Sequence, residues 1–483
     1  MIQASPEFIE AMKQPIKDVY IKLEFYTSDM QFLGEFTKKV SKDDIGSISV
    51  DRNRPIRRSF SLTLDNKDNE FIWGEDSLVW IDKRIKLYIG LMVADGTIHY
   101  VLQGVFLLTE PSDMHRINDG KKAIINCVDK AYLFTDRRGK IVNELTIEEG
   151  ASVTTAIRLM FEAGGETLFN FDSDIDAVVP YELTFSGTDN VWKVGEELAI
   201  FAQCDLFYDV NGYLRLKKID LNDLWLYPST WTYTYGDISD RFYAGNMRKF
   251  DDTILSNHIR VLGGSSQYAE VLFDLKVDEN ESIWENNPYR IEQIGEWTYF
   301  HNNNRPDPLI TTHSEAFWRA KYELMNRLGY TEKISLQIAP NYLHDASDVI
   351  AIIDEENNVS GRYLIESFNL PIVPDLLTVE TRKERRIIDD WDFIVTEYGD
   401  IVGKVTNVSE EELEGVELIL TSATTGYSDT VYSNFFGNYK FIKVPEANDY
   451  VITASLEDYQ EKIKDNIKVE GGIITEVDLE MVV

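Results

Sequence analysis

His99, His115, His258, His301, His313 and His344 are the side chains of this chain best suited to proton transfer or zinc binding near neutral pH. Their spacing contains no HxxxH or HExxH pair, so no single helical face presents two imidazoles to a metal. Each reads as solvent-exposed or satisfied within a core. Asp172, Asp174 and Asp176 begin like a calcium loop, but Ala177 stands where the sharp turn needs glycine and Leu183 where the bidentate glutamate belongs. Gly263 and Gly264 lack the Gly-Lys-Ser/Thr of a phosphate loop and read as a tight turn. No GxSxG nucleophile elbow occurs. With 83 Asp and Glu residues in the chain, two carboxylates close in sequence carry no information about glycosidase chemistry. Trp284 and Trp297, near Asn, Asp and Tyr, read as core residues, with stacking on a sugar ring as the alternative. Arg52, Arg54, Arg57 and Arg58 in DRNRPIRR form the densest basic patch, read as a solvated turn rather than an anion site. The sequence therefore names no catalytic, cofactor-binding or metal-ligating residue, and it predicts no enzyme.

The elements around these residues follow from size and pattern. At 483 residues the chain is several times the length of one core and predicts about three folded units. A 43% hydrophobic and 27% charged composition supports packed cores. Cys127 and Cys204 fit no disulfide framework and read as buried hydrophobes. The first twenty residues mix charge into every turn and contain no apolar h-region, and no run of about 18 apolar residues occurs, so neither secretion signal nor membrane span is expected. Assembly in a cytosol follows as an expectation.

The net charge of −35 argues against wrapping DNA or lying on an anionic membrane. Residues 1–140 are neutral, with 21 basic and 21 acidic side chains, whereas residues 397–483 carry 6 and 18. A neutral first surface is suited to meeting protein; plain solubility of the acidic remainder explains the asymmetry equally well.

DVYIKLEFY, SFSLTLDN, RIKLYIGLMV, HYVLQGVFLLTE and KAIINCVD read as strands, with Phe60, Leu62 and Leu64 alternating with Ser61 and Thr63. Ser152 caps a helix with stripe Val153, Ala156, Ile157 and Met160, stopped at Gly164 and Gly165. Asp189 or Asn190 caps a second, with stripe Val191, Val194, Leu198 and Phe201. The hairpin that follows turns at Asn211 and Gly212, a pair favoured in type I′ turns. A third helix starts at Thr312 or Ser314, buries Phe317, Ala320, Leu324 and Leu328, and ends at Gly329. Strands resume in KISLQIAP, DVIAIID, GRYLIESF and LLTVETRKE, and after Tyr398 and Gly399 a small β-sandwich pattern begins. The predicted fold class is multidomain and mainly β with an α/β insertion. It comprises a first barrel-like domain at 1–140, a peripheral α/β domain at 141–240, a second barrel-like domain with one helix at 241–395 and a C-terminal sandwich at 396–483.

The order of RSFSLTLDN, NVWKVGEELAIFAQCDLFYDVNGYLRLKK, DDTILSNHIRVLGG and SEAFWRAKYELMNRLGYTEKISLQIAP, running on to GRYLIESFNLPI, resembles the baseplate or tail-tip hub proteins of tailed bacteriophages and related contractile particles. The resemblance covers about residues 15–390. It implies a homotrimer giving two barrels per chain, six in all, to a hexameric tail tube or distal tail protein above. Tip, spike or fibre proteins would attach below, and duplex DNA would pass only in transit. Localisation would be the virion tail, assembled in the host cytoplasm. After residue 395 the resemblance to lysozyme- or peptidase-bearing hubs ends. There GKV, EGVELILTS, FFGNYKFIKVP and NDYVITASLEDYQ resemble carboxypeptidase-regulatory-like, prealbumin-type sandwiches, in which Gly403, Gly415 and Gly437 would be turns and Tyr439 a core tyrosine. The alternative reading is a distal-tail or adhesin-like protein whose sandwich holds a host-surface glycan. In either reading no cofactor and no membrane insertion are expected. A channel that releases DNA should be neutral or acidic, so Arg57, Arg58, Arg385 and Arg386 are expected to point outward or into protein interfaces.

Overall fold

The computed structural model describes the chain except residues 15, 41–45, 67–68, 70, 117–119, 136–137, 142, 176, 180–181, 188, 219–223, 225–226, 236–242, 265–271, 278–286, 311–312, 330, 385–397, 410, 471–473 and 483. Asp176, Trp284, Thr312, Arg385 and Arg386 therefore lie outside the described residues. Strands hold 49% of the chain and helices 14%, so the fold is mainly β. Two compact units form, one from residues 1–251 with 331–384 and the other from 252–330 with 385–483.

The first unit is organised by alternation. Val19–Tyr26 and Arg58–Asp65 bury every second residue, among them Ile21, Leu23, Phe25, Phe60, Leu62 and Leu64, as one-sided strands must. A 13-stranded sheet results. From one edge its order is Tyr243–Asp251, Thr331–Ile338, Leu377–Glu384, Val359–Pro371, Gly46–Asp51, Arg58–Asp65, Gly120–Asp129, Ile98–Arg116, Arg84–Met92, Val19–Tyr26 and Phe32–Lys39. Val349–Asp354 also pairs with Val359–Pro371, and Trp231–Thr234 runs parallel to Val349–Asp354. The strands of 1–140 and, from the second segment expected as a barrel-like unit, those of 243–251 and 331–384 are thus one hydrogen-bonded sheet whose strand path is open among the described residues, while residues 252–330 of that segment belong to the other unit. The join is antiparallel, with Phe368 opposite Val50 and Leu370 opposite Ile48. All four side chains lie in one continuous core with residues from both segments.

Between these segments, α1 (Pro6–Met12) having preceded the sheet, stand α2 (Val153–Ala163) and α3 (Val191–Phe201). Ser152 and Asn190 cap them, accepting from the N–H groups of Thr155 and Lys193. The α2 stripe Val153, Ala156, Ile157 and Met160 is buried. An aromatic cluster of Phe134, Phe161, Trp192 and Tyr208 joins these helices to the hairpin Cys204–Tyr208/Leu214–Lys218. The hairpin turn is not type I′. Gly212 has φ +79°, but Asn211 is not in the positive-φ region, because the Asp209 carboxylate accepts from the N–H groups of Asn211 and Tyr213 and holds a turn closed by Gly212 N–H donating to the Asp209 carbonyl.

In the second unit, His258–Leu262 pairs with Leu272–Lys276 and Thr298–Phe300. Ile259 and Val261 pack with Phe317, Ala320 and Leu324 of α5 (His313–Arg327), which follows the short α4 (Ile291–Ile294). Residues 398–482 form two four-stranded sheets around Ile401, Val405, Leu418, Leu420, Phe441 and Ile452. Tyr439 is buried, as expected, and donates to the Val477 carbonyl. Gly415 and Gly437 take positive φ in turns. Gly403 does not: it lies inside the strand Tyr398–Asn407, where a Cβ would stand 1.9 Å from the Val477 carbonyl oxygen. Gly403→Ala is therefore expected to force the strands apart and destabilise the sandwich by about 3 kcal/mol, as overpacking does. Thermal unfolding of the variant checks this, and an unchanged melting temperature would contradict it.

Candidate assembly interface

The basic patch was expected in solvent, yet Arg57 and Arg58 are buried. Their turn lies between the strands Gly46–Asp51 and Arg58–Asp65, facing the hairpin of the α/β segment. Arg52 Nε donates to Asp205 Oδ2 at 2.9 Å, and Arg57 Nη2 stands 3.4 Å from the same oxygen. The Arg57 guanidinium also lies 4.0 Å from the centre of the Phe207 ring. Arg58 pairs with Asp345, and its backbone N–H donates to buried Asp129. Arg382 pairs with Glu366 at 3.3 Å, while Arg52 N–H donates to the Glu366 carbonyl. Burial pushes the Arg57 value down, and Asp205 opposes that shift. These cations join three parts of the first unit, although the buried Arg57 Nε and Nη1 find no hydrogen-bond partner among the described residues. A second buried pair, Lys130 and Glu166 at 2.7 Å, ties the same hairpin down through the Gly212 carbonyl and the Tyr208 hydroxyl.

Charge removal tests the clamp. Asp205→Ala leaves Arg57 without its nearest counter-ion and is expected to cost about 3 kcal/mol of stability, read by denaturant unfolding. A loss below about 0.5 kcal/mol, the scale of an exposed pair, would show that the arginines are not clamped there.

The histidines are held by the protein's own groups. Nδ1 of His258 lies 2.6 Å from Glu296 and Nε2 lies 2.9 Å from Asp274, which also takes two bonds from Arg260. Nε2 of His301 lies 2.7 Å from Asp307, and Glu323 lies 3.7 Å from Nδ1. His344 is buried against the Tyr233 hydroxyl at 2.6 Å, and burial lowers its value to about 3. The side chains of His115 and His313 are outside the described residues. Asp172 of the calcium-like run pairs with Arg215 at 3.0 Å. Gly264 N–H donates to the Asp307 carbonyl, and a Cβ there would stand 2.8 Å from Pro308 Cα, so the glycine serves close packing.

Burial by itself would lower the His301 value, but Asp307 and Glu323 outweigh it and raise the imidazole above its ordinary range. Both carboxyls are held below theirs despite burial. The imidazolium thus adds stability that is complete below about pH 6.5 and is lost as pH rises through the raised value, while the carboxylates add stability lost as pH falls through their lowered values. The melting temperature of the second unit should decline on the alkaline side of neutrality in wild type, and His301→Gln should abolish that decline. An identical alkaline decline in the variant would contradict the assignment.

The surfaces left for partners are apolar and at edges. Among the described residues, Phe32–Lys39 and Tyr243–Asp251 each have one strand neighbour in the sheet. Phe32 and Leu33 are exposed on the first and Met247 and Phe250 on the second; Trp73, packed on Trp80 at 4.6 Å, is exposed as well. In the sandwich, Phe435 and Phe436 are 71% and 60% exposed. Trp297 was expected in a core but is 38% exposed, its Nε1 donating to the Ile294 carbonyl.

A family model of the carboxypeptidase regulatory-like domain matches residues 400–482. No curated protein matches the chain in sequence. Among solved structures, a tail protein from Neisseria meningitidis MC58 is similar at 12% identity and TM-score 0.53, over 77% of this chain and 98% of that one. A 43 kDa tail protein of prophage MuSo2 from Shewanella oneidensis is similar at 11% identity and TM-score 0.48, over 75% and 98%. Prophage tail protein gp18 from Listeria monocytogenes EGD-e follows at 11% identity and TM-score 0.45, over 76% and 94%. The first of these shows a shared fold extending along nearly the whole of the Neisseria tail protein.

Proposed function

We propose that this chain is a structural component of a phage tail tip or baseplate, a trimeric hub that closes or extends the tail tube and adapts it to tip or fibre proteins. The observation that carries the reading is the fold shared with the Neisseria meningitidis tail protein along 98% of that chain. The strand-rich segments 1–140 and 241–395 are the two tube-facing parts of each copy, the α/β segment 141–240 is peripheral, and residues 396–483 are an accessory contact module. Exposed apolar side chains such as Phe32, Leu33, Met247 and Phe250 support this role, because assembly covers surface that is costly to leave in water. No catalytic step is assigned: His258, His301 and the arginines described above face the protein's own carboxylates, and His344 faces the Tyr233 hydroxyl.

The channel reading rests on charge. Three chains at −35 each would surround the DNA path with a repulsive field, and Arg57 and Arg58 are withdrawn into the protein rather than offered to phosphate. Mass measurement of the full chain, together with its copy number in intact particles, is expected to give threes. Six copies per particle would instead favour a distal-tail ring. Purified protein should not bind duplex DNA tightly at low salt. Tight binding that weakens steeply with added salt would overturn the channel reading.

A further inference from the structure

Lys440 lies in the strand Asn438–Pro445 between Tyr439 and Phe441, both of which belong to the sandwich core. Alternation therefore turns Lys440 to the opposite face of the sheet, where a lysine ordinarily reaches water. This one does not. Its side chain is 2% exposed, and Asp400, whose side chain is 1% exposed, holds Oδ2 3.3 Å from Nζ. Asp400 belongs to the neighbouring strand Tyr398–Asn407, whose register against Asn438–Pro445 shifts between Gly399 and Ile401. Such irregularities re-aim side chains. Helix α5 packs against the strand Tyr398–Asn407, and the Glu315 carboxylate is near enough for its charge to act on Lys440. In the same sandwich Lys404 with Glu412 and Lys468 with Glu470 keep both partners in solvent, so burial of the Lys440 pair is not a general habit of this domain.

An ion pair buried this completely adds little net stability, because desolvation cancels most of the attraction. Burial penalises the ammonium and lowers the Lys440 value, against the opposing charges of Asp400 and Glu315. Passing one proton from the ammonium to the carboxylate leaves an amine facing a carboxylic acid, a nucleophile held against an electrophile. The acid carbon is one bond from an oxygen that already stands 3.3 Å from the nitrogen. Holding the two groups there turns a bimolecular encounter into an intramolecular step, which accelerates it by many orders of magnitude.

We propose that Lys440 and Asp400 condense, without a second enzyme, into an amide that joins the two strands. The Nζ–Cγ bond forms and one Cγ–O bond breaks. The departing oxygen leaves as water, carrying the carboxyl proton and one proton from the nitrogen, so no oxidant, reductant or cofactor enters the balance. The product is neutral and replaces a pair of charges that burial penalises. It closes the chain between residues 400 and 440 into a covalent loop, which restricts the unfolded sandwich as a disulfide would. The strand Tyr398–Asn407 then cannot be drawn away from Asn438–Pro445 unless a covalent bond is broken. This inference does not depend on how many copies assemble.

The test is the mass of the full chain. Purified wild type is held at neutral pH until its mass is constant, then denatured and measured intact and after trypsin. It should be lighter than its sequence by one water, and trypsin should release residues 387–404 joined to 405–443, uncut at Lys440, with fragmentation placing the link between Asp400 and Lys440. Hydroxylamine, which opens a cyclic imide such as Asp95–Gly96 can form, should leave the loss in place. Lys440→Arg keeps the positive charge but offers no amine, and Asp400→Ala offers no acid; each should show the full mass of its own sequence. The wild-type measurement decides the matter even where a variant folds poorly. A wild-type chain of full mass with no joined peptide, a water loss that hydroxylamine reverses, or the same loss in Lys440→Arg would overturn the proposal and leave a buried ion pair in its place.

Discussion

The first unit depends on one long-range pairing, the antiparallel join between Gly46–Asp51 and Val359–Pro371. Backbone groups of a strand that lacked a partner here would be buried unbonded, at a cost of several kcal/mol over a few residues. Pairing removes that cost and brings Ile48 and Val50 against Phe368 and Leu370, so that a single core forms. Everything else in the unit is arranged about this seam. Arg52 sits at its end, its N–H on the Glu366 carbonyl and its guanidinium on Asp205, which fixes the α/β hairpin to the seam.

Burying several guanidinium groups at such a place is costly, and their attraction to carboxylates repays this only where geometry and hydrogen bonding are good. What the arrangement secures is register. A hydrophobic seam alone tolerates slippage by two residues, whereas Arg58 on Asp345 and Arg52 on Asp205 have partners in one register only.

Much of this was legible in the sequence because burial leaves a local period. Ser152 announced its helix and the pair Asp189 and Asn190, of which Asn190 is the cap, announced the next; the Val153 to Met160 stripe announced the buried face of α2, and the alternation of Phe60, Leu62 and Leu64 announced a one-sided strand. What the sequence hid lay between segments. Asp205 stands 153 residues from Arg52, so DRNRPIRR looked like a solvated turn although its counter-ions wait elsewhere in the fold. Alternation within a strand reports a buried face but not the neighbour along its edge, which is why two barrel-like units were expected where one sheet forms. Phe32–Lys39 alternates only between half-buried and exposed positions, as an edge strand does, and so gave little signal. Gly403 was expected to turn because the sandwich pattern that segment resembles has turns at such glycines; the carbonyl of Val477, between two later strands, needs its missing side chain instead. The exposure of Phe435 and Phe436 left no signal in the sequence.

The central structural claim is that residues 1–140 and 331–384 form one cooperative sheet through this seam. Native-state hydrogen exchange measures it directly. The amides of the strands Gly46–Asp51 and Val359–Pro371 should open together, with the same free energy as the strands on either side, and exchange only by unfolding of the whole unit. If the strands before the seam exchanged by a separate, lower-energy opening while those after it stayed protected, the chain would hold two independent β units and the single-sheet account would be contradicted.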